Sequence, residues 1–562
     1  MSESLGSLCI VLHGHLPYVL NHGVWPHGEA WLYEAAAETY LPLLDMIGEV
    51  ALHRARPGLT IGLTPVLLEQ LAQERFKAGF IAYLHERMEH AARDHAVFER
   101  DGQKHFAYLA GRWEKWYAAR LADFQRIDCD IVGQFAARRD EGHVQLLGGP
   151  ATHAYLPLLL TDECIRAQMS AGALAGERHL REKPRGMWLP ECGYRPAQEW
   201  KPPVLYDDLR PRAGIETFVA GAGADHFFID SHQVADAQPL GTLEAGVFCE
   251  AGEAQIYWDK NRPWRSPMQP VGVASFPQVP DCFALARHPR VSEQVWSGAI
   301  GYPGSGEYLD FHRRNGPHGL RYHRVTDVSI DLAQKQPYFL EDTFGKLYEH
   351  SQHFCRIVRD ALAEYKREHG RPGVVVAPFD AELFGHWWFE GPRFLRDVIF
   401  TLSRDKSVQL ATAAEVLEQH PPQTVVRLPE GSWGKEGDHS VWLNDQTRWI
   451  WEVEYRAEGR MLQLLRDLPW KENADVRGML ERAGRELLLL QASDWPFVIH
   501  SKGAVDYGIQ RFSLHATRFE RMANIAEQLA GGRPIDALQK SQVDEADAHD
   551  VVFANIDLNW WA

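Results

Sequence analysis

The 562-residue sequence has no run of about 18 apolar residues, the length that a membrane-spanning helix requires. Its seven cysteines are scattered, without close pairs or metal-type spacing, which favours a reduced, cytoplasmic setting. Residues 1–7 carry no basic segment ahead of the first apolar run, so we expect no signal peptide. Basic residues are outnumbered, since 59 Lys and Arg against 76 Asp and Glu give a net charge of −17. That charge argues against nucleic acid and acidic membranes as partners.

Aromatic residues are plentiful, with 19 Trp, 18 Tyr and 25 Phe. Flat rings suit the apolar faces of sugars, although most aromatic side chains in any protein serve its core. Only the position of a ring can therefore identify it as a ligand contact.

Short apolar runs alternate with helical segments, such as Tyr33–Leu52, along much of the chain. This order is typical of a parallel α/β sheet or barrel, in which catalytic residues lie where the strands end. The predicted strands are Leu8–Leu12, Leu59–Leu63, His143–Leu147, Gly186–Leu189, Thr217–Ala220, Phe227–Ile229, Gly373–Ala377 and Val408–Leu410.

Four regions depart from that alternation. Long charged helices, Arg87–Arg100 and Gly111–Arg139, indicate a helical insertion, and the part that follows residue 421 is also rich in helices. Residues 231–282 are rich in Pro and Gly and contain Tyr257, so we expect an irregular functional loop there. The acidic tail from about Gln539 is expected to fray.

Two carboxylates stand in apolar, aromatic surroundings. Glu191 follows the strand Gly186–Leu189, and Asp380 follows Gly373–Ala377, each shortly after a proline. A buried charge costs free energy unless it is paired or used, and either acid alone is about as easily a structural residue as a catalytic one. Their parallel settings favour chemistry. One proton donor and one nucleophile are what the cleavage of a glycosidic bond requires.

Histidines also follow predicted strands. His13 and His15 end the first strand, and two such residues could bind a metal, but a metal needs further ligands and the chain has no HExxH or CxxC motif. We favour hydrogen bonds to sugar hydroxyls for them and expect no metal and no cofactor. His153 follows the strand His143–Leu147, where a lone histidine is usually structural.

Four tryptophans are candidates for sugar platforms. Trp433 and Trp442 lie in a polar loop, 430–444, where a core role is hard to explain, so we expect both to line the cleft. Trp296 stands in a short polar context, whereas Trp495 follows an apolar helix and could equally serve packing.

Several segments together resemble glycoside hydrolase family 57 and, within it, the 1,4-α-glucan branching enzymes. The long and specific ones surround the two acids, and the others support them. They are Leu12–Tyr18, Ala151–Pro157, Trp188–Tyr194, Gln294–Ser297, Phe379–Gly391 and Ser493–Trp495.

The resemblance implies an α/β fold, namely a distorted, TIM-like (β/α)7 barrel over residues 1–88 and 142–418. A helical insertion would cover 89–141, a C-terminal helical domain that completes the cleft 419–538, and an acidic tail 539–562. The chain would be a monomer or a weak homo-oligomer that acts on donor and acceptor α-1,4-glucan chains.

The resemblance also assigns roles to residues. Glu191 would be the nucleophile and Asp380 the general acid/base of a retaining reaction, with carboxyl groups about 5–5.5 Å apart. A tyrosine on a mobile loop, for which Tyr257 is the candidate, would favour transfer over hydrolysis. The implied substrate-binding residues are His13, His15, His153, Trp31, Trp296, Trp387, Trp433, Trp442 and Asp494.

Other functions stay open at this point. A retaining α-glucan hydrolase would use the same two acids, and only the fate of the covalent intermediate would differ. A glycan-binding regulator with an inactive barrel would need neither acid. A metal-dependent deacetylase built on His13 and His15 is the most distant alternative.

Overall fold

Parallel strands form the centre of the computed structural model, which describes residues 4–24, 26–244, 246–250 and 265–562. Twelve of the described strands belong to one sheet, and β5 and β6 form a separate hairpin. In chain order the strands are β1 Gly6–Gly14, β2 Leu59–Leu63, β3 Val144–Gly148, β4 Gly186–Met187, β5 Gln198–Trp200, β6 Arg210–Arg212, β7 His226–Ile229, β8 Gln238–Glu244, β9 Val247–Glu250, β10 Val271–Val273, β11 Cys282–Ala286, β12 Gly373–Asp380, β13 Val408–Leu410 and β14 Thr424–Arg427.

Seven of these strands are parallel neighbours in the order β12-β1-β2-β3-β4-β7-β11. The series closes on itself, because His288, just past β11, donates its backbone N–H to the carbonyl of Val376 in β12 over 2.8 Å. β2 pairs with β1 only from Ile10 onward, and β13 pairs with the first residues of β1, Gly6 to Leu8. The predicted (β/α)7 barrel is confirmed.

The interior of the barrel follows from the two-residue period of its strands. Alternate residues of β1 and β12 point inward and pack with Leu147, Phe228 and Leu285 from the other strands. The inward residues of β1 and β12 are Cys9, Val11, Val374 and Val376. The same parity brings His13 and Asp380 to the inner face, where they are register partners at the strand ends. The strand pattern thus delivers two polar side chains to one end of an apolar core.

Helices surround the barrel and form the C-terminal part of the chain. No helix among the described residues is both long and apolar enough to cross a membrane. Those before residue 420 are Glu29–Ala35, Leu41–Leu52, Pro65–Leu71, Glu74–Arg100, Lys104–Arg126, Ile131–Asp140, Asp162–Leu180, Ile215–Gly221, Ser231–Ala235, Pro289–Trp296, Leu340–His369, Gly391–Leu402 and Ala413–Gln419. The later ones are Arg448–Asp467, Ala474–Leu490, Asp494–His500, Val505–Ala530 and Ala537–His549.

Two local predictions are wrong. Residues 217–220, expected as a strand, lie in the helix Ile215–Gly221, because Ile215 and Val219 are one helical turn apart and are both buried. The helix expected over Gly111–Arg139 breaks after Arg126, and Asp130 caps the next helix by accepting a hydrogen bond from the backbone N–H of Gly133.

The region 231–282 is less irregular than expected. Its described residues include β8, β9 and β10, and β8 pairs antiparallel with both β9 and β14. Residues 251–264, which contain Tyr257, lie outside the described residues.

The C-terminal tail does not fray. Residues Ala537–His549 form a helix with a capping box, and Asp550, after its end, is buried between His22 and Arg518. Trp561 is buried as well, and its ring lies against Gly484. The apolar side chains near the end of the tail pack against the C-terminal helices. The acidic composition of the tail as a whole gives no indication of this packing. The tail therefore joins the loop after β1 to the C-terminal helices.

Candidate active site

The two candidate catalytic acids lie at strand ends, as predicted. Asp380 is the last residue of β12, and Glu191 lies in a short 3₁₀ turn, Pro190–Cys192, that follows β4. Glu191 and Cys192 both have left-handed backbones, with φ of 61° and 51°. Such a conformation costs about 1–2 kcal/mol per residue. A backbone hydrogen bond from the N–H of Trp433 to the carbonyl of Glu191 (2.9 Å) helps to hold the turn.

The environment separates the acidities of the two carboxyl groups. Burial raises the pKa of Asp380 well above its usual value, and the charges of Glu382 and Glu191 raise it further. Burial also raises the pKa of Glu191, but only to about 7, since a hydrogen bond from Trp433 and the charge of His15 oppose the rise. Both residues keep partial exposure to the cleft. Asp380 therefore holds its proton at a pH where Glu191 already ionises, which is the division between a proton donor and a nucleophile.

Trp433 contacts Glu191 directly. Its indole Nε1–H donates to Oε2 of Glu191 over 2.6 Å. The ring stands edge-on to Trp188, with centroids 5.0 Å apart, and the guanidinium of Arg287 lies over it. Trp433 thus lies in the cleft, as predicted, and it also orients the carboxylate.

The three predicted histidines form one stacked row. His13 lies on Trp188 with ring centroids 4.6 Å apart, and His153 lies on His15 with centroids 3.9 Å apart. The Nε2 atoms of His13 and His153 are 3.0 Å apart and share one hydrogen bond. The row runs from the barrel core, at Trp188, to its open end.

The C-terminal helical part completes this row. Asp494, predicted for the cleft, lies 3.0 Å from Nε2 of His15, and Ser493 Oγ lies 2.9 Å from Nδ1 of His153. On the barrel side, Thr64 Oγ1 lies 3.0 Å from Nδ1 of His15. Both ring nitrogens of His15 and of His153 are therefore hydrogen-bonded within the protein.

Charge is distributed unequally along the row. Burial lowers the pKa of His13 and of His153 well below the usual value, and the charge of His15 lowers both further. Burial opposes protonation of His15 too, but the Asp494 carboxylate outweighs it and raises its pKa. Protonation is therefore easier at His15 than at its two neighbours, and the charge of a protonated His15 favours the ionised form of Glu191.

The same side chains could in principle hold a cation. His15, His153 and Asp494 present ligand atoms within 4.8 Å of one another. Each of the four ring nitrogens of these histidines already has a partner, however, and stacked rings do not converge on one point. The donor set therefore suits hydrogen bonding better than metal coordination.

Glu382 and Tyr40 are among the site residues that the sequence did not identify. Oε1 of Glu382 accepts the backbone N–H of His15 over 3.1 Å and the hydroxyl of Tyr40 over 2.5 Å. Glu382 follows Asp380 by two residues in the same apolar segment, and this position could have identified it as a site residue. Tyr40 ends a π-helical turn, Ala36–Tyr40, that interrupts the first helical segment, and nothing in the sequence marks it.

Three further predicted rings are Trp296, Trp387 and Trp31. The centroid of Trp296 lies 6.4 Å from those of both Trp433 and Trp387, and Trp387 is 41% exposed. These rings form a partly exposed path that suits a sugar chain. Trp31 is half-buried and stands edge-on to Tyr507 of the C-terminal helices.

The prediction for Trp442 is wrong. Its ring is 1% exposed and stacks face to face on Tyr155, with centroids 4.2 Å apart. The carbonyl of Trp442 accepts hydrogen bonds from Trp451 Nε1 and Thr447 Oγ1, so the polar loop folds back onto the helix Arg448–Asp467. The polar residues of the loop therefore lie on its outer side, and the buried ring of Trp442 packs the loop onto the protein.

Trp442→Ala is expected to lower the free energy of unfolding by about 3–5 kcal/mol, because it empties a buried aromatic site. Trp387→Ala, at an exposed ring, is expected to change that free energy by about 0.5 kcal/mol or less and to raise KM instead. Urea denaturation followed by circular dichroism measures the free energy of unfolding of both variants, and initial rates on amylose give KM. Equal stability losses for the two variants would contradict the assignment.

A barrel that ends in two buried carboxyl groups of unequal acidity, beside stacked histidines and indoles, is a site of the glycoside hydrolase kind. The chain belongs to glycosyl hydrolase family 57, whose model matches residues 9–429. Residues 454–561 match the model described as 1,4-alpha-glucan branching enzyme, C-terminal. The second match covers the helices that supply Asp494.

Proteins of known identity are similar over nearly the whole chain. The 1,4-alpha-glucan branching enzyme TK1436 of Thermococcus kodakarensis is 37% identical over 523 residues, which are 92% of this chain and 73% of the relative. The crystal structure of a family 57 branching enzyme from Pyrococcus horikoshii has a TM-score of 0.88 at 35% identity and covers 99% of this chain and 97% of its own. The α-amylase AmyC of Thermotoga maritima has a TM-score of 0.81 at 30% identity, with 99% of each chain covered.

Proposed function

We propose that the chain is a 1,4-α-glucan branching enzyme, which cleaves α-1,4 bonds and forms α-1,6 branches between glucan chains. The observation that carries this proposal is the match of residues 454–561 to the branching-enzyme C-terminal model, a range that includes Asp494, the partner of His15. The two acids are the groups that bond cleavage requires. The similarity to branching enzymes favours transfer of the cleaved chain to another glucan over its hydrolysis.

The reaction follows from the two acids. Asp380, protonated in its buried setting, donates its proton to the leaving α-1,4 oxygen while the Glu191 carboxylate attacks the anomeric carbon. A glucosyl ester forms on Glu191, and the shortened chain leaves with the proton. Asp380 then removes the proton of an acceptor 6-hydroxyl, which attacks the ester and regenerates both groups. This retaining course predicts the separation of about 5–5.5 Å between the carboxyl groups.

Trp433 supports this division of roles. Its N–H donates to Oε2 of Glu191, a bond that stabilises the carboxylate and leaves Oε1 without a protein donor among the described residues. Charge-assisted bonds of this kind are stronger than neutral ones and fix direction. The bond therefore favours the ionised form of Glu191 and orients the carboxylate for attack.

A second candidate is a retaining α-glucan hydrolase with the same acids. The likeness to AmyC, an α-amylase of comparable length, favours it. The two functions differ only in whether water or a sugar hydroxyl resolves the ester. Tyr257, proposed to cover the site, falls in residues 251–264 and lies outside the described residues.

Incubation with linear amylose separates the two candidates. We expect new α-1,6 linkages, visible in proton NMR and as new short chains after treatment with a debranching enzyme, with few new reducing ends. Glu191→Gln protein serves as the matched control for background. Reducing ends that accumulate without α-1,6 linkages would refute the branching assignment and support the hydrolase.

A further inference from the structure

A pocket of 320 Å³ lies between the helices Leu41–Leu52, Lys104–Arg126 and Gly391–Leu402, with walls that include Trp113, Trp116 and Phe389. None of the predicted site residues that the structure describes lines it. Its volume and its aromatic lining are those of small-molecule sites. The pocket requires a separate explanation from the catalytic cleft.

Trp116 is the ring best placed to meet a ligand. It is half-buried, edge-on to Trp113 with centroids 5.4 Å apart, and 5.7 Å from Phe389. The guanidinium of Arg120 lies over it at 5.6 Å. Within the part of the chain that the structure describes, its indole N–H makes no hydrogen bond to the protein, and it is not among the buried unpaired atoms, so it is open to solvent. The pocket therefore offers an apolar platform and a free donor.

The charges in the wall are mixed. Arg112 and Arg393 make no ion pair among the described residues, whereas Asp45 and Glu49, one helical turn apart, are paired with Arg120 and Arg396 of the same wall. Guanidinium groups and carboxylates therefore stand side by side around the pocket. A hydroxyl group can accept from a guanidinium and donate to a carboxylate, so a neutral, hydroxyl-rich ligand fits both.

Exposed rings extend the pocket along the surface. Arg112 donates to the hydroxyl of Tyr108, which is 48% exposed, and Arg393 lies over Phe344, which is 51% exposed. Exposed aromatic side chains that border an aromatic pocket mark an interaction site. Their spread suits a ligand longer than one sugar ring.

We propose that this pocket, with its rim at Tyr108 and Phe344, is a second binding site for an α-1,4-glucan chain, apart from the catalytic cleft. The choice of an α-glucan among hydroxyl-rich ligands rests on the proposed function. The segment that carries Phe389 also carries Trp387, two residues earlier, whose ring lies beside Trp296. One loop thus faces both sites, so a long glucan held at the pocket stays close to the cleft.

The test is affinity electrophoresis in native gels that contain glycogen, with every variant made in a Glu191→Gln background so that no substrate is consumed. Trp116→Ala is expected to weaken the apparent affinity for glycogen about fivefold or more, the effect of one lost stacking ring. Trp116→Phe is expected to restore most of it. Trp449→Ala, at an equally half-buried ring of the C-terminal helices, is the matched control and is expected to leave mobility unchanged.

A rim variant protects the test against misfolding, because Trp116 also packs on Trp113. Arg112→Ala, at an exposed side chain, is expected to weaken retardation, and Lys115→Ala, exposed on the same helix, is not. Unchanged retardation in both Trp116→Ala and Arg112→Ala would overturn the inference. A mobility change of the same size in gels without polysaccharide would also overturn it, because it would show that the substitutions alter the protein itself and not its binding of glycogen. Glycogen binding that depends on Trp116, in a protein that makes no branches, would keep this site and refute the proposed function.

Discussion

Glu191→Gln is expected to lower kcat on amylose by on the order of 10⁴-fold or more, the scale on which enzymes lose rate when a nucleophile is removed. The amide matches the shape of the carboxylate and can still meet Trp433, so the turn at Pro190–Cys192 should persist. What disappears is the group that forms the glucosyl ester. Initial rates of branch formation, measured on linear amylose, give the loss directly.

A matched control separates chemistry from folding. Glu454 is another buried glutamate, in the helix Arg448–Asp467, and burial together with Glu458 raises its pKa well above the usual value. Glu454→Gln therefore replaces a neutral acid by a neutral amide and is expected to keep kcat within about twofold. A 5-fluoroglycosyl fluoride should label wild-type protein on the peptide that contains Glu191. Label on another carboxylate, or activity in Glu191→Gln, would remove Glu191 from the nucleophile role.

Trp433→Phe is expected to move the acid limb of kcat/KM towards higher pH by about one to two units. The reaction needs Glu191 ionised and Asp380 protonated, so the rate rises through the pKa of Glu191, about 7, and falls where Asp380 ionises. The indole N–H favours the carboxylate, so its removal raises the pKa of Glu191 and the rise comes later. A hydrogen bond to a charged group contributes about 1.5–3 kcal/mol, and 1.36 kcal/mol corresponds to one pKa unit.

The shift of the acid limb tests whether Trp433 acts through its hydrogen bond to Glu191 or only by stacking on the sugar. Trp296→Phe alters a ring of the same path that makes no bond to Glu191, so it is expected to raise KM and to leave the acid limb in place. Profiles of kcat/KM between pH 5 and 9 with a soluble maltooligosaccharide compare the two variants. An unmoved acid limb in Trp433→Phe would show that the 2.6 Å contact does not tune the nucleophile.

Much of the site could be read from strand patterns. Apolar runs that end in polar residues placed His13, His15, Glu191 and Asp380 at the open end of a barrel, because parallel strands share one carboxyl edge. The register of β1 and β12 then makes His13 and Asp380 neighbours. The roles of the two acids, by contrast, came from resemblance, since local sequence does not report which carboxyl group is desolvated more.

What could not be read depends on distant contacts. Trp442 stands in a polar loop, yet Tyr155, nearly three hundred positions earlier in the chain, covers its ring. The polar, acidic composition of the tail predicts fraying, whereas its partner His22 lies 528 residues from Asp550 in the chain and cannot be inferred from that composition. Tyr40 reaches Glu382 through a π-helical turn that has no sequence signature. Periodicity reports one element at a time, whereas these contacts join elements.

The sharing of the histidine row between two halves of the chain has a consequence during synthesis. His15 and its partner Asp494 are 479 residues apart, and His22 and Asp550 are 528 residues apart. At about 5–20 residues per second, roughly half a minute to a minute and a half separates their emergence from the ribosome. A nascent barrel during that interval lacks the carboxylate that raises the pKa of His15, so the histidine row is complete only after Asp494 has emerged.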